Sequence, residues 1–135
     1  MGRKRPAKLT PLEALVMDCV WEAGEATVRQ VREGLRDRRK LAYNTVLTVM
    51  RILREKGFLA SERQGRMDVY RPLVEREQVA RRSLSDVLDR FFQGSATALV
   101  SQLLESEELS DEELRTIRRE VNRQLDTADN QAEGG

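Results

Sequence analysis

Residues 43–72 read YNTVLTVMRILREKGFLASERQGRMDVYRP, and this stretch decides the fold. Its first part places apolar residues three and four positions apart, which predicts a helix that begins near Tyr43 and stops at Gly57. In its second part, Met67 and Val69 alternate with polar residues, and together with the turn at Gly65 this pattern predicts a β-hairpin. Pro72 cannot donate a ladder hydrogen bond and should end the second strand.

Two further helices are predicted before this stretch. Thr10 and Glu13 form a capping box that opens the first helix, and Thr27 and Gln30 form one that opens the second. Gly24 should close the first helix. Three helices followed by a hairpin is the order of a winged helix-turn-helix, whose third helix enters the DNA major groove.

The chain after the hairpin returns to helical spacing, with three more helices expected. We therefore predict a mainly α fold with a small β-hairpin wing and a three-helix dimerisation region behind the winged domain. The predicted segments are a basic tail (1–8), a winged-helix DNA-binding domain (9–73), a helical dimerisation domain (74–127) and a disordered polar tail (128–135).

The net charge of +1 over 135 residues hides an asymmetry between these parts. Residues 1–73 hold 16 basic and 9 acidic groups, which is a net +7, whereas residues 74–135 hold 8 basic and 14 acidic groups, which is −6. A basic front and an acidic back suggest a part that binds a polyanion joined to a part with another role.

The composition excludes several classes of function. The chain has no His and a single Cys, so His-based catalysis, a His metal site and an intrachain disulfide are excluded. No nucleophile motif or phosphate-binding glycine loop is present, and we expect neither enzymatic activity nor a cofactor or metal. No apolar run approaches the ~20 residues of a membrane span, and we expect a cytoplasmic protein in which Cys19 is buried and structural.

The third helix carries the main candidate binding face. Asn44, Leu47, Thr48 and Arg51 share one side of this helix by their spacing. Asn can bond adenine, Leu and the Thr methyl can touch a thymine methyl, and Arg can reach guanine or phosphate. The opposite side should be buried, and it comprises Val46, Val49, Met50 and Leu53. The alternative is an ordinary solvated helix face.

Basic residues outside this helix supply candidate phosphate contacts. Arg63 and Arg66 flank the hairpin turn, where a wing can touch the DNA backbone. The alternative is a charged edge hairpin that resists aggregation. The clusters at 3–5 and 36–40 could also contact phosphates, or serve only for solubility.

The back half has too few apolar positions to close its own core within about 60 residues, so pairing with a second copy is expected. The predicted dimerisation residues are Leu84, Val87, Leu88, Phe91, Phe92, Leu99, Val100, Leu103, Leu104, Ile117 and Val121. The alternative is a helical cap packed on the front domain. Two other functions stay open, namely a winged-helix protein-interaction module without DNA affinity and a repressor controlled by a small ligand.

The sequence resembles the penicillinase-repressor family, the BlaI/MecI/CopY group of bacterial winged-helix repressors. The matching stretches include LTPLE (9–13), TVRQV (27–31), LAYNTVLTVMRIL (41–53), KGF (56–58), YRP (70–72), FFQGS (91–95) and EELS (107–110). Each piece is weak, but their order and spacing are specific and span about residues 9–125.

The resemblance implies repression by a homodimer bound to a palindromic operator in double-stranded DNA. It assigns base contacts to the start of the third helix, at Tyr43, Asn44, Thr45, Leu47 and Thr48. In one branch of the family a membrane sensor-metalloprotease cleaves the repressor, and the matching bond here is Gln102–Leu103. Another branch responds to copper through a Cys-rich C-terminal site, and this chain lacks those Cys residues.

Overall fold

The computed structural model of the chain describes residues 8–134. The elements in order are α1 (Pro11–Ala23), α2 (Val28–Gly34), α3 (Tyr43–Glu55), β1 (Leu59–Gln64), β2 (Met67–Pro72), α4 (Arg76–Phe92), α5 (Ala96–Ser106) and α6 (Asp111–Gly134). The strands pair antiparallel in one two-stranded sheet. The predicted mainly helical fold, with three helices and then a hairpin wing, is confirmed.

Capping side chains fix where most of the helices begin. The side chain of Thr10 accepts a hydrogen bond from the Glu13 N–H, and the Glu13 carboxylate accepts one from the Thr10 N–H, which completes the predicted box. Thr27 and Gln30 repeat this arrangement at α2. Gly24 follows α1 with a φ of 87°, a conformation that favours glycine. These local signals are why the sequence predicted the helix starts closely.

A hydrophobic core forms between α1, α2, α3 and the hairpin. Side chains from all four meet there, and Tyr70 of β2 is fully buried among them. Tyr70 also exchanges two backbone hydrogen bonds of 2.8 Å with Ala26, in the connection between α1 and α2. The wing is therefore fastened to the helices by its second strand. The buried apolar residues are Val16, Met17, Val20, Ala26, Val28, Val31, Leu35, Val46, Val49, Met50, Leu53, Phe58, Leu59 and Tyr70.

The chain divides into two compact units between Asp86 and Val87, inside α4, whereas the sequence placed the boundary at residue 73. The start of α4 belongs to the first unit because it packs there. The indole N–H of Trp21 donates to the Val74 carbonyl at 2.9 Å, and Val79 packs against the core. The Arg76 guanidinium lies 5.5 Å from the centre of the Trp21 ring.

The second unit consists of the end of α4 together with α5 and α6. Across α4 to α6 no side chain is buried among the residues that the structure describes. Helix α6 continues to Gly134, so the tail predicted to be disordered is helical through residue 134, where Ala, Gln and Glu favour helix. Between residues 8 and 134, no helix is both long enough and apolar enough to cross a membrane.

Candidate nucleic-acid interface

Helix α3 has one buried side and one exposed side. Val46, Met50 and Leu53 are fully buried and Val49 nearly so, which confirms the predicted inward face. Asn44, Thr48 and Arg51 lie on the opposite side by helical spacing, and all three are exposed. A row of hydrogen-bonding side chains is thus presented to solvent by a helix whose other side is anchored.

The other predicted base-contacting residues of α3 lie beside this exposed row. Tyr43 and Thr45 flank it, and both are exposed. Leu47 is half-buried and packs against the core, so only part of its side chain is open to a ligand. The sequence put Leu47 on the binding face, and the structure places it at the border between that face and the core.

Contacts at its two ends hold α3 in place. Before its start, the Arg32 guanidinium donates to the Leu41 carbonyl at 3.1 Å. Beyond its end, the Lys56 ammonium donates to both carboxylate oxygens of Glu13, at 2.9 and 2.8 Å. The sequence did not predict this pair, because no local pattern connects positions 43 residues apart. The orientation of the exposed row therefore depends partly on α1.

Glu13 is a buried acid, with a residue exposure of 6%. Burial alone would raise its pKa, but hydrogen bonds from Lys56 and from the Thr10 N–H, together with the charge on Lys56, lower the pKa below its ordinary value. Glu13 is thus ionised at neutral pH and joins α1 to the end of α3. Also in α1, Cys19 is half-buried rather than buried as predicted; it packs against the core, and burial raises the pKa of its thiol.

The wing is a hairpin with a two-residue loop. Gln64 pairs with Met67, and Gly65 takes a φ of 64° at the first loop position, where other residues are strained. Arg66 occupies the second loop position and is exposed. The wing adjoins α3, since Arg54 of that helix donates to the Ser61 hydroxyl of β1 at 2.9 Å. The structure thereby brings the two predicted DNA-contacting elements together.

The predicted arginines differ in their surroundings. Arg63 pairs with Asp68 across the hairpin at 3.2 Å. Neither Arg51 nor Arg66 forms an ion pair within residues 8–134. In the basic link after α2, Arg36 pairs with Glu33 at 2.9 Å, while the basic cluster at 3–5 lies outside the described residues. Arg51 and Arg66 are therefore the predicted arginines best placed to meet phosphate.

The predicted dimerisation residues lie on all three helices α4 to α6 and expose much of their apolar surface. Phe91 is 65% exposed, Val121 53% and Leu103 48%, which is high for large apolar side chains. Leu84, Val87, Val100 and Leu104 are also exposed, and Leu88, Phe92, Leu99 and Ile117 are half-buried. Leu114 and Leu125 of α6, which the sequence did not select, are exposed as well.

The Gln102–Leu103 bond, predicted from the resemblance as a cleavage site, lies inside α5. Both side chains are exposed, but the backbone on either side is helical. Cleavage at this bond would require local opening of α5, because cleavage of a structured segment proceeds through a transiently opened state.

A protein-family model described as "Penicillinase repressor" matches residues 9–123. The chain is 42% identical over 86 residues to "Transcriptional regulator BlaI" of Mycobacterium tuberculosis, covering 61% of this chain and 62% of that relative. It is 25% identical over 114 residues to "Penicillinase repressor" of Bacillus licheniformis, covering 84% and 89%. It is 23% identical over 116 residues to "Methicillin resistance regulatory protein MecI" of Mammaliicoccus sciuri, covering 86% and 94%.

Among solved structures, the DNA-binding domain of the repressor BlaI aligns at 24% identity and a TM-score of 0.49, over 55% of this chain and 90% of that one. Monomeric BlaI of Bacillus licheniformis in complex with a half-operator aligns at 24% identity and a TM-score of 0.47, over 56% and 92%. The family model extends over the winged domain and most of α4 to α6. The chain belongs to the penicillinase repressor family.

Proposed function

We propose that this protein is a sequence-specific, DNA-binding transcriptional repressor of the bacterial cytoplasm. The observation that carries the proposal is the exposed row Asn44, Thr48 and Arg51 on a helix whose other side is buried. Side chains of these types can bond base edges in the major groove, and a winged helix-turn-helix presents its third helix there. Membership of the family and the names of its curated relatives support the same function.

Electrostatics support DNA as the partner. The net +7 of residues 1–73 favours a polyanion, and Arg51 and Arg66 have no acidic partner within the described residues. In this proposal α3 reads bases, and Arg51 and the wing contact phosphates on either side of the groove. The protein-interaction alternative offers no reason for this distribution of charge.

We further propose that the repressor acts as a homodimer. The exposed apolar side chains of α4 to α6, with Phe91 and Val121 among the most exposed, would be costly to leave in water. A second copy of the same helices would cover them. A two-fold dimer then reads two half-sites of a palindromic operator.

Release of the operator by a membrane sensor-metalloprotease completes the proposal. The bond to be cut is Gln102–Leu103, in the unit that carries most of the proposed dimer contacts. Cutting it would weaken the dimer and thus lower operator affinity. Incubation with a cognate protease that leaves this bond intact would remove this part of the proposal.

A gel-shift titration against the promoter of the protein's own operon, at 50 to 200 mM salt, tests the proposal. We expect affinity to fall with salt by a slope of roughly −0.9 per phosphate contacted. Arg66→Gln should make this slope shallower by about one contact for each protomer, which is two for the dimer. Arg118→Gln, which removes a charge that is also exposed but lies on α6, should not. Binding that is absent, or that does not change with salt, would refute the function.

A further inference from the structure

The two strands of the wing place an acid directly opposite one of its arginines. Arg63 of β1 is the register partner of Asp68 of β2, and a guanidinium nitrogen of Arg63 lies 3.2 Å from an Asp68 carboxylate oxygen. The Arg63 side chain is 69% exposed and that of Asp68 is 32% exposed. The pair therefore lies at the surface, where an ion pair adds little to stability.

The face of the hairpin that carries this pair is the one next to α3. Side chains two apart on a strand share a face, so Arg63 lies on the same face as Ser61, and Asp68 on the same face as Tyr70. Tyr70 points into the core, and Ser61 accepts the hydrogen bond from Arg54 of α3. Asp68 thus occupies the side of the wing that adjoins α3.

A carboxylate at this position works against DNA binding because it competes with phosphate for the Arg63 guanidinium. Glu62 is the neighbouring acid on β1, but it pairs with Val69 and so lies on the other face of the hairpin. The acid on the α3 side is thus the one positioned to limit what the wing can contact.

We propose that Asp68 restrains the affinity of the wing by holding Arg63 away from the DNA backbone. This inference rests on the function proposed above and adds a residue that tunes it. In the unmodified protein Arg66, at the tip of the loop, makes the phosphate contact of the wing, while Arg63 stays paired with Asp68. A repressor restrained in this way binds all DNA less tightly, so more of its discrimination comes from the base contacts of α3.

The test compares Asp68→Asn with Glu62→Gln in the full-length chain, by DNA-binding titrations on operator and on unrelated DNA at 50 and 200 mM salt. Asp68→Asn should bind both DNAs more tightly, by about tenfold or more at 50 mM, because each protomer of the dimer contacts one more phosphate. With a slope steeper by about 1.8, which is about 0.9 for each protomer, the gain should be roughly 12 times larger at 50 mM than at 200 mM. Glu62→Gln should show neither effect, and thermal unfolding should confirm that both variants fold.

The Arg63→Gln background isolates the mechanism. There, Asp68→Asn should give no gain and no steeper slope, because the arginine that it would release is gone. A gain in affinity from Asp68→Asn that persists in this background would mean that Asp68 acts only by repelling phosphate. An equal gain from Glu62→Gln would mean a general effect of net charge. Either result overturns the inference. If the parent binds DNA normally and Asp68→Asn binds no more tightly than the parent, the inference fails but the proposed function stands. Loss of salt-dependent binding by the parent itself refutes the proposed function and this inference with it.

Discussion

Replacement of Glu13 by Gln tests how α3 is held in place. The carboxylate accepts hydrogen bonds from the Thr10 N–H and, twice, from Lys56. Gln keeps an oxygen for the Thr10 N–H but loses the charge that attracts Lys56. A hydrogen bond to a charged group contributes roughly 1.5–3 kcal/mol and a neutral one roughly 0.5–1.5 kcal/mol. We therefore expect the free energy of unfolding at pH 7 to fall by about 1–2 kcal/mol.

The pH dependence of this loss follows from the pKa of Glu13. Because the folded-state pKa lies below the unfolded-state value, ionised Glu13 stabilises the fold above the unfolded-state value. That contribution is lost as the pH falls through the folded-state pKa. Gln does not titrate, so the difference between the parent and Glu13→Gln should be constant from pH 6 to 8, should shrink as the pH falls below the unfolded-state pKa, and should disappear below the folded-state pKa.

Urea unfolding followed by circular dichroism, at matched protein concentrations from pH 3 to 8, measures this difference. Concentration must be matched because a dimer gains stability by mass action. Glu22→Gln is the control, since Glu22 is an exposed acid on the same helix and should cost within about 0.5 kcal/mol. A Glu13→Gln variant as stable as the parent at pH 7, or equally weakened at pH 3 and pH 7, would contradict the reasoning.

Three further predictions concern a tertiary hydrogen bond, the turn of the wing and the proposed dimer surface. Trp21→Phe removes the hydrogen bond to the Val74 carbonyl and should cost about 1–2 kcal/mol in urea unfolding, and an unchanged midpoint would show that the bond is unimportant. Gly65→Ala forces a side chain into a φ of 64° and should lower stability by about 1–2 kcal/mol, whereas a more stable variant would argue against this loop conformation. Phe91→Asp should yield a monomer by analytical ultracentrifugation with weakened operator binding, while Arg82→Asp, an exposed position on the opposite side of α4 by helical spacing, should remain dimeric, and an unchanged mass for Phe91→Asp would refute the dimer surface.

Features set by neighbouring residues were predictable from the sequence. The capping pair Thr10 and Glu13 located the start of α1, and Gly65 located the turn of the wing. The period of Val46, Met50 and Leu53 identified the buried side of α3, and with it the exposed side. Each of these depends on hydrogen bonds or packing within a few residues, which a pattern can encode.

Features that join distant segments were not predictable. Three tertiary contacts connect positions that no local pattern links. They are the Glu13–Lys56 ion pair, the Trp21–Val74 hydrogen bond and the backbone pairing of Ala26 with Tyr70. For the same reason the sequence did not indicate the division inside α4, since Arg76 and Val79 in its first turns contact the front domain. The cross-strand pairing of Arg63 also had to come from the register of the hairpin. Tertiary contacts thus change the role of individual charged residues while leaving the element order as predicted.

Selection from a random library of double-stranded DNA tests the central claim most directly, namely that α3 of a dimeric repressor reads a defined sequence. The purified full-length chain is mixed with the library, and the retained fragments are sequenced. We predict enrichment of one two-fold symmetric motif whose half-site centres lie about 10 base pairs, or a multiple of that, apart. Retained fragments without a common motif, or no retention at all, would contradict the claim.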